Sequence, residues 1–160
     1  MFEAVSIDTA DKTEFYRALA QQLQALFDGE ADMIANAANI SALIYQMMPD
    51  LNWAGVYLLK GEQLVLGPFQ GKPACVRIPV GRGVCGSAVE RKSSILVEDV
   101  HAFPGHIACD AASRSELVVP IFRDGVTIGV IDLDSPLPSR FDADDQAGIE
   151  RLAEIFAGSF

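Results

Sequence analysis

The feature that most constrains this chain is a pair of apolar runs, residues 117–122 and 126–133, that meet at Asp124-Gly125. An Asp-Gly pair between two such runs is the strongest short hairpin signal, because both central residues of the tight turn need positive φ. Alternation along the second run puts Asp132 and Asp134 on one face and Ile131 and Leu133 on the other. The chain is therefore expected to build an antiparallel sheet that is apolar on one side and partly acidic on the other.

Local signals supply the rest of the fold. Asp11 opens a helix with Glu14 as its reciprocal capping partner. Phe15, Leu19, Leu23, Leu26 and Phe27 mark its inward face, and Gly29 ends it. A second helix covers about residues 32–48, with Met33, Ile34, Ala37, Ile44 and Met47 inward and Pro49 as its stop. Its methionines read as core filler rather than soft metal ligands. Residues 52–59 and 63–66 form an earlier hairpin, turned by Lys60-Gly61-Glu62. Trp53, Gly55 and Tyr57 share a face of its first strand, either as a packed core cluster or as an aromatic wall with a notch between the rings.

Residues 67–73 read as a rigid, turn-rich loop, and Cys75 opens a short strand to Pro79. Gly81-Arg82-Gly83 leads into a short helix that carries Cys85 and ends near Lys92. That glycine pattern lacks the spacing and the following acidic residue of a dinucleotide site. A strand over 94–97 and a single turn over 99–103 follow. Asp142 caps a closing helix with Ile149, Leu152, Ala153 and Phe156 inward. The order predicts an α+β fold, a single antiparallel sheet flanked by helices, in one domain over residues 1–160.

Composition excludes several function classes. The net charge is -10, and the 12 Lys and Arg are scattered rather than gathered in a patch. Such a surface repels nucleic-acid backbones and anionic membranes. No apolar run approaches a bilayer span, and no basic-then-apolar leader opens the chain. Three cysteines make an odd count, which favours thiols in a reducing cytoplasm over a disulfide framework.

The polar, aperiodic loop 105–116 concentrates the chemistry. It holds Cys109 with Asp110, His106 and Arg114 as neighbours, so Cys109 reads as a redox nucleophile rather than an inert buried thiol. Cationic neighbours lower a thiol's pKa, whereas Asp110 alone would raise it. One attacking and one resolving cysteine is the minimum for a thiol reductase, and Cys75 and Cys85 are the other two thiols. For Cys85, between Val84 and Gly86, a buried inert role weighs as much as a chemical one. Zinc is a further reading, since His101 and His106 bring the donors to five, yet no Cys-x-x-Cys or His-x-x-x-His spacing is present. Glu116, Asp132 and Asp134 stand at ends of the hairpin that meet in space. Converging there, they would raise one another's pKa until one donates a proton near neutral pH; the alternative is capping and turn chemistry.

Almost end to end, the chain resembles the free methionine-(R)-sulfoxide reductases, stand-alone proteins with the GAF fold. The resemblance rests on NWAGVYLL at 52–59, LGPFQGKPAC at 66–75, GRGVCG at 81–86, the loop from Phe103 through Glu116, and GVIDLDSP at 129–136. It implies a site under that loop on one face of a GAF-like antiparallel sheet. Cys109 would attack the sulfoxide sulfur, Cys75 would resolve the sulfenic acid as a disulfide, and a thioredoxin-type reductant would recycle both. Cys85 matches a third, auxiliary cysteine. Trp53 and Tyr57 would hold the methyl-sulfur end, with Glu116, Asp132 and Asp134 on the ammonium and the sulfoxide oxygen. Neither metal nor cofactor is implied, the location is cytoplasmic, and a homodimer is left open. The competing readings are a non-catalytic GAF module that senses a small ligand and a zinc-stabilised structural protein.

Overall fold

At Asp124 and Gly125 the computed structural model, which describes residues 2–160, turns with φ of 51° and 76°. These left-handed values are what a type I′ hairpin requires. In chain order the elements begin with helices α1 (Lys12–Phe27) and α2 (Met33–Met47), then strands β1 (Trp53–Lys60), β2 (Gln63–Gly71) and β3 (Arg77–Pro79). They continue with α3 (Gly83–Arg91), β4 (Ile95–Val97), a 3₁₀ turn (Val100–Ala102), β5 (Ser115–Arg123), β6 (Val126–Ser135) and α4 (Ala143–Ala157). The strands form one six-stranded sheet of order β3-β2-β1-β6-β5-β4, antiparallel throughout.

The expected α+β architecture is therefore present, and each long helix starts on a side-chain cap. Asp11 accepts from the Glu14 N–H, Asp32 from those of Ile34 and Ala35, and Asp142 from those of Asp144 and Asp145. Helices α2 and α4 lie on the sheet, and α1 packs on α4. Leu19, Leu23, Ile40, Ile44, Leu117, Ile131, Leu133, Ile149, Leu152 and Phe156 form the larger core on this side. Each such side chain contributes roughly 1.5–3 kcal/mol by burial. The opposite face is covered by α3, whose Val84, Ala88 and Val89 meet Tyr57, Leu64, Ile78, Val118 and Val130. Among the described residues no helix is long and apolar enough to cross a membrane.

Four local expectations need correction. Residues 67–73 are not a separate loop, because β2 runs on through Gly71. Gly55 lies opposite Phe69 while Tyr57 lies opposite Leu66, so β2 carries one extra residue there. A bulge of this kind accommodates Pro68, which has no N–H for the ladder. Cys75 precedes β3 rather than opening it. Glu14 does not close a capping box on Asp11; its carboxylate accepts from the Thr9 hydroxyl, and Thr9 also takes the Asp11 N–H. Ile34 is exposed, since the buried stripe of α2 runs through Asn36, Ala37, Ile40, Ser41, Leu43 and Ile44. Tyr16, absent from the expected inward face of α1, is buried against Gly148, where a Cβ would overlap its ring.

Candidate active site

Strand register assembles the floor of the site. Trp53, Asp134 and Glu116 lie in one row across β1, β6 and β5, with Gly55, Asp132 and Val118 in the next. Directly opposed residues project to the same face, so the aromatics and carboxylates share the side that α3 covers. A narrow cleft, partly open to solvent, is walled by Trp53, Glu116, Asp132 and Asp134, by Cys85 of α3 and by residues of the 106–113 loop.

The two aromatic rings do not flank an open notch. Trp53 is stacked between Tyr57 and Phe69, with ring centroids 5.8 Å and 5.2 Å away. A Cβ on Gly55 would come within 2.5 Å of the Trp53 ring, so the glycine is the bed on which the indole lies. The packing-glycine reading is correct, and both rings still line the cleft. Their polar ends have a further task. Trp53 Nε1–H donates to the Lys72 carbonyl at 3.1 Å, and the Tyr57 hydroxyl donates to the Cys75 carbonyl at 2.9 Å. Both rings thus tie down the segment that carries Cys75.

Cys75 and Cys109 are joined as a disulfide, with their Cα atoms 5.8 Å apart. Asp110, next to Cys109, accepts from the Asn52 amide at 3.1 Å, the Ala112 N–H at 2.9 Å and Lys72 Nζ at 3.4 Å. Those partners hold its carboxyl below the ordinary range, the Ala112 N–H most of all. The Lys72–Asp110 contact also links the two cysteine-bearing segments. Arg114, a sequence neighbour of Cys109, is exposed and off the cleft; the cation at hand is Lys72. His101 is likewise outside, paired with Asp99. With Cys75 and Cys109 bonded together and His101 remote, the five-donor zinc arrangement does not form.

The acidic group is buried with little compensation. Glu116 and Asp132 are only 5% and 7% exposed, and Asp134 is half-buried. His106 Nε2 lies 3.4 Å from Glu116 Oε2, while Asp132 Oδ1 has no hydrogen-bond partner. Burial, followed by mutual repulsion, pushes all three carboxyls well above their usual range. Burial and then Asp132 do the same to the Cys85 thiol. Burial moves His106 the other way, toward the neutral imidazole. Burial therefore favours the protonated form of the carboxyls and of Cys85.

At the cleft wall, α3 begins without a side-chain cap on its first amides, because Arg82 supplies none. Gly83 has φ of 59°, and Ile107 of the loop packs 3.1 Å from where a Cβ would stand. A side chain here would be strained and would push the loop outward.

Comparison with known proteins accords with this geometry. The GAF domain family model matches residues 9–158. Over 142 residues the chain is 56% identical to the free methionine-R-sulfoxide reductase of Escherichia coli (strain K12), covering 89% of this chain and 86% of that one. Against the free methionine-R-sulfoxide reductase of Saccharomyces cerevisiae, identity is 42% over 153 residues, with 91% and 85% covered. The X-ray structure of free methionine-R-sulfoxide reductase from Neisseria meningitidis in complex with its substrate is 42% identical. It superposes with a TM-score of 0.95 over 100% of this chain and 96% of that one. The chain belongs to the free methionine-R-sulfoxide reductase family of GAF-domain proteins.

For this family member, all the site residues that the resemblance implicates except Cys75 line the cleft, Cys75 is bonded to a residue that does, and His101 and Arg114 lie outside it. Sequence reasoning missed Lys72, Ile107 and Ser113 as cleft-lining residues and Asn52 as the partner of Asp110 and Ser113, and left His106 undecided. The one available signal was the polar, aperiodic loop itself, which marks a region without saying which side chains turn inward.

Proposed function

We propose that this protein reduces free methionine-(R)-sulfoxide to methionine with its own thiols. The observation that carries the reading is the junction of Cys75 and Cys109 beside a buried group of proton-holding carboxyls. Cys109 Sγ attacks the sulfoxide sulfur while a carboxyl of the Glu116–Asp132 pair protonates the departing oxygen. That oxygen leaves as water, a water then adds to Cys109 Sγ and expels methionine, and Cys109 becomes a sulfenic acid. Cys75 then displaces water from it to form the disulfide. A thioredoxin-type dithiol in the cytoplasm takes over that disulfide by exchange and restores both thiols.

Binding follows the same chemistry. Trp53 and Tyr57 offer an apolar wall to the methyl-sulfur end, a contact typically worth ~0.3–1.5 kcal/mol. The acidic group suits an ammonium, and the uncapped start of α3 suits a carboxylate. Both ends of a free amino acid then have partners, whereas a residue within a polypeptide has neither charge. Cys85 keeps its proton and so stays outside the first attack. Residues 1–160 act as one GAF-like domain in this reading.

The test supplies each sulfoxide epimer, free and peptide-bound, with dithiothreitol, and measures methionine released. The free R epimer alone should turn over, and Cys109→Ser should lose all activity. Normal turnover by that variant, or equal use of the peptide, would refute the proposal. In wild-type protein the rate should fall as pH rises and the raised carboxyls lose their proton.

A further inference from the structure

The floor of the cleft brings a thiol that the first attack does not use, Cys85, within reach of the carboxyls that the reductase reaction does use. One donor atom each from Cys85, Glu116 and Asp132 lies within 4.8 Å of the other two, and all three residues are buried. His106 Nε2 stands 3.4 Å from Glu116 Oε2, beside this group but outside its 4.8 Å compass. Asp132 is the independent observation. It is only 7% exposed, and its Oδ1 has no partner although the residue lines the cleft. Buried polar atoms are almost always satisfied, so an orphan carboxylate oxygen indicates something that visits.

We propose that the cleft binds one Zn²⁺ through Cys85 Sγ, Asp132 Oδ1, a Glu116 oxygen and His106 Nε2, and that the ion excludes substrate. Tetrahedral zinc, with bonds of about 2.0–2.3 Å, sets its donors roughly 3–4 Å apart. The His106–Glu116 spacing already has that value. Cys85, Asp132 and Glu116, within 4.8 Å of one another, have to draw together, and His106 has to swing toward Cys85 and Asp132 to complete the set. Thiolate with imidazole and carboxylate selects zinc over magnesium or calcium, which prefer oxygen alone. No lysine or arginine lines this floor to repel a cation; Lys72 sits at the rim with Asp110. The ion takes the place of protons on Cys85, Asp132 and Glu116, which leave to solvent. This differs from a structural zinc in that its ligands are the side chains that line the cleft. The claim of exclusion rests on the proposed reductase reading, whereas the claim of binding does not.

The test uses the double variant Cys75→Ser, Cys109→Ser, so that the redox pair cannot capture the metal. Zn²⁺ is titrated against a chromophoric chelator at neutral pH, with a phosphine as reductant. One equivalent should bind, raise the melting temperature and release protons, while Mg²⁺ in large excess does not compete. Adding Cys85→Ser or His106→Ala to that background should weaken binding at least tenfold. Asp132→Asn should do the same, and its melting curve without metal reports that it is folded. Absence of stoichiometric binding, or affinity unchanged by Cys85→Ser and His106→Ala, would overturn the site. In the wild-type protein Zn²⁺ should raise the apparent KM for sulfoxide with kcat unchanged, reversibly by chelation. Zinc binding in a protein that releases no methionine would leave the site standing and defeat the functional reading instead.

Discussion

Two groups of buried carboxylate lie on opposite sides of this sheet, and they are treated differently. Asp145, only 1% exposed, accepts from Lys12 Nζ at 2.6 Å, the Tyr16 hydroxyl at 2.7 Å, the Asp142 N–H at 3.0 Å and Arg140 at 3.5 Å. Its charge is matched by two cations and its oxygens are occupied. Glu116, Asp132 and Asp134 have one another, a neutral imidazole and an unused oxygen on Asp132. Burial of an acid is therefore not the mark of a site in this molecule. Burial without compensation is, because the missing partner has to come from outside.

The largest break in that contrast should come from Asp145→Ala. It strands Arg140, takes the acceptor from the buried Tyr16 hydroxyl and leaves Lys12 only Asp142, and breaking a buried pair in this way typically costs about 3–5 kcal/mol. Denaturant unfolding should show that loss, while turnover per folded molecule stays at the wild-type rate. Loss of activity without loss of stability would erase the distinction between the two groups.

Asp132→Asn should do the reverse. Removing a catalytic proton donor commonly lowers the rate by about 10²-fold or more, yet this variant should melt higher than wild type at neutral pH. The sign follows from proton binding. A raised carboxyl holds its proton in the folded state after the unfolded chain has released it, so stability falls as pH rises through the interval. The variant's advantage is greatest at neutral pH and disappears below about pH 4, where an ordinary carboxyl is also protonated. Calorimetry at both pH values checks it; a variant that melts lower at neutral pH would show that Asp132 is satisfied after all.

The smallest effect belongs to Asp142. Lys12 first of all holds its carboxyl down to about 2, but the side chain is 55% exposed. An exposed pair contributes less than about 1 kcal/mol, and Asn caps a helix as well as Asp does. Asp142→Asn should cost little at pH 7. What it does cost should be absent below the folded value near 2, since a depressed carboxyl adds stability only above that range. A pH-independent loss would point to the cap rather than to the charge.

Much of this was legible because it is local. The Asp-Gly turn, the three aspartate caps and the alternation of Asp132 and Asp134 depend on neighbours in sequence. The site residues emerged from that alternation together with the polar loop and the family resemblance. What stayed hidden depends on distant partners. Nothing near Tyr16 foretells Asp145 or the glycine beneath its ring. Lys72 meets Asp110, and His106 meets Glu116, only after the loop folds over the sheet. Gly67-Pro68 reads as a loop because an isolated sequence cannot reveal that β2 bulges there against β1.

The hairpin also has a bearing on the order of folding. Glu116 and Asp134 are paired across a ladder that closes at Asp124-Gly125, so the acidic half of the site comes from a single contiguous stretch of chain. Hairpins form in about 1–10 μs. The thiol half needs Cys75 and Cys109, which are 34 residues apart, to find each other. Proton chemistry is in this sense assembled early and redox chemistry late. A one-residue slip at the turn would carry Asp132 and Asp134 to the opposite face, into the larger core. The turn, remote from any substrate, is thus the timekeeper and the aiming device of the acids.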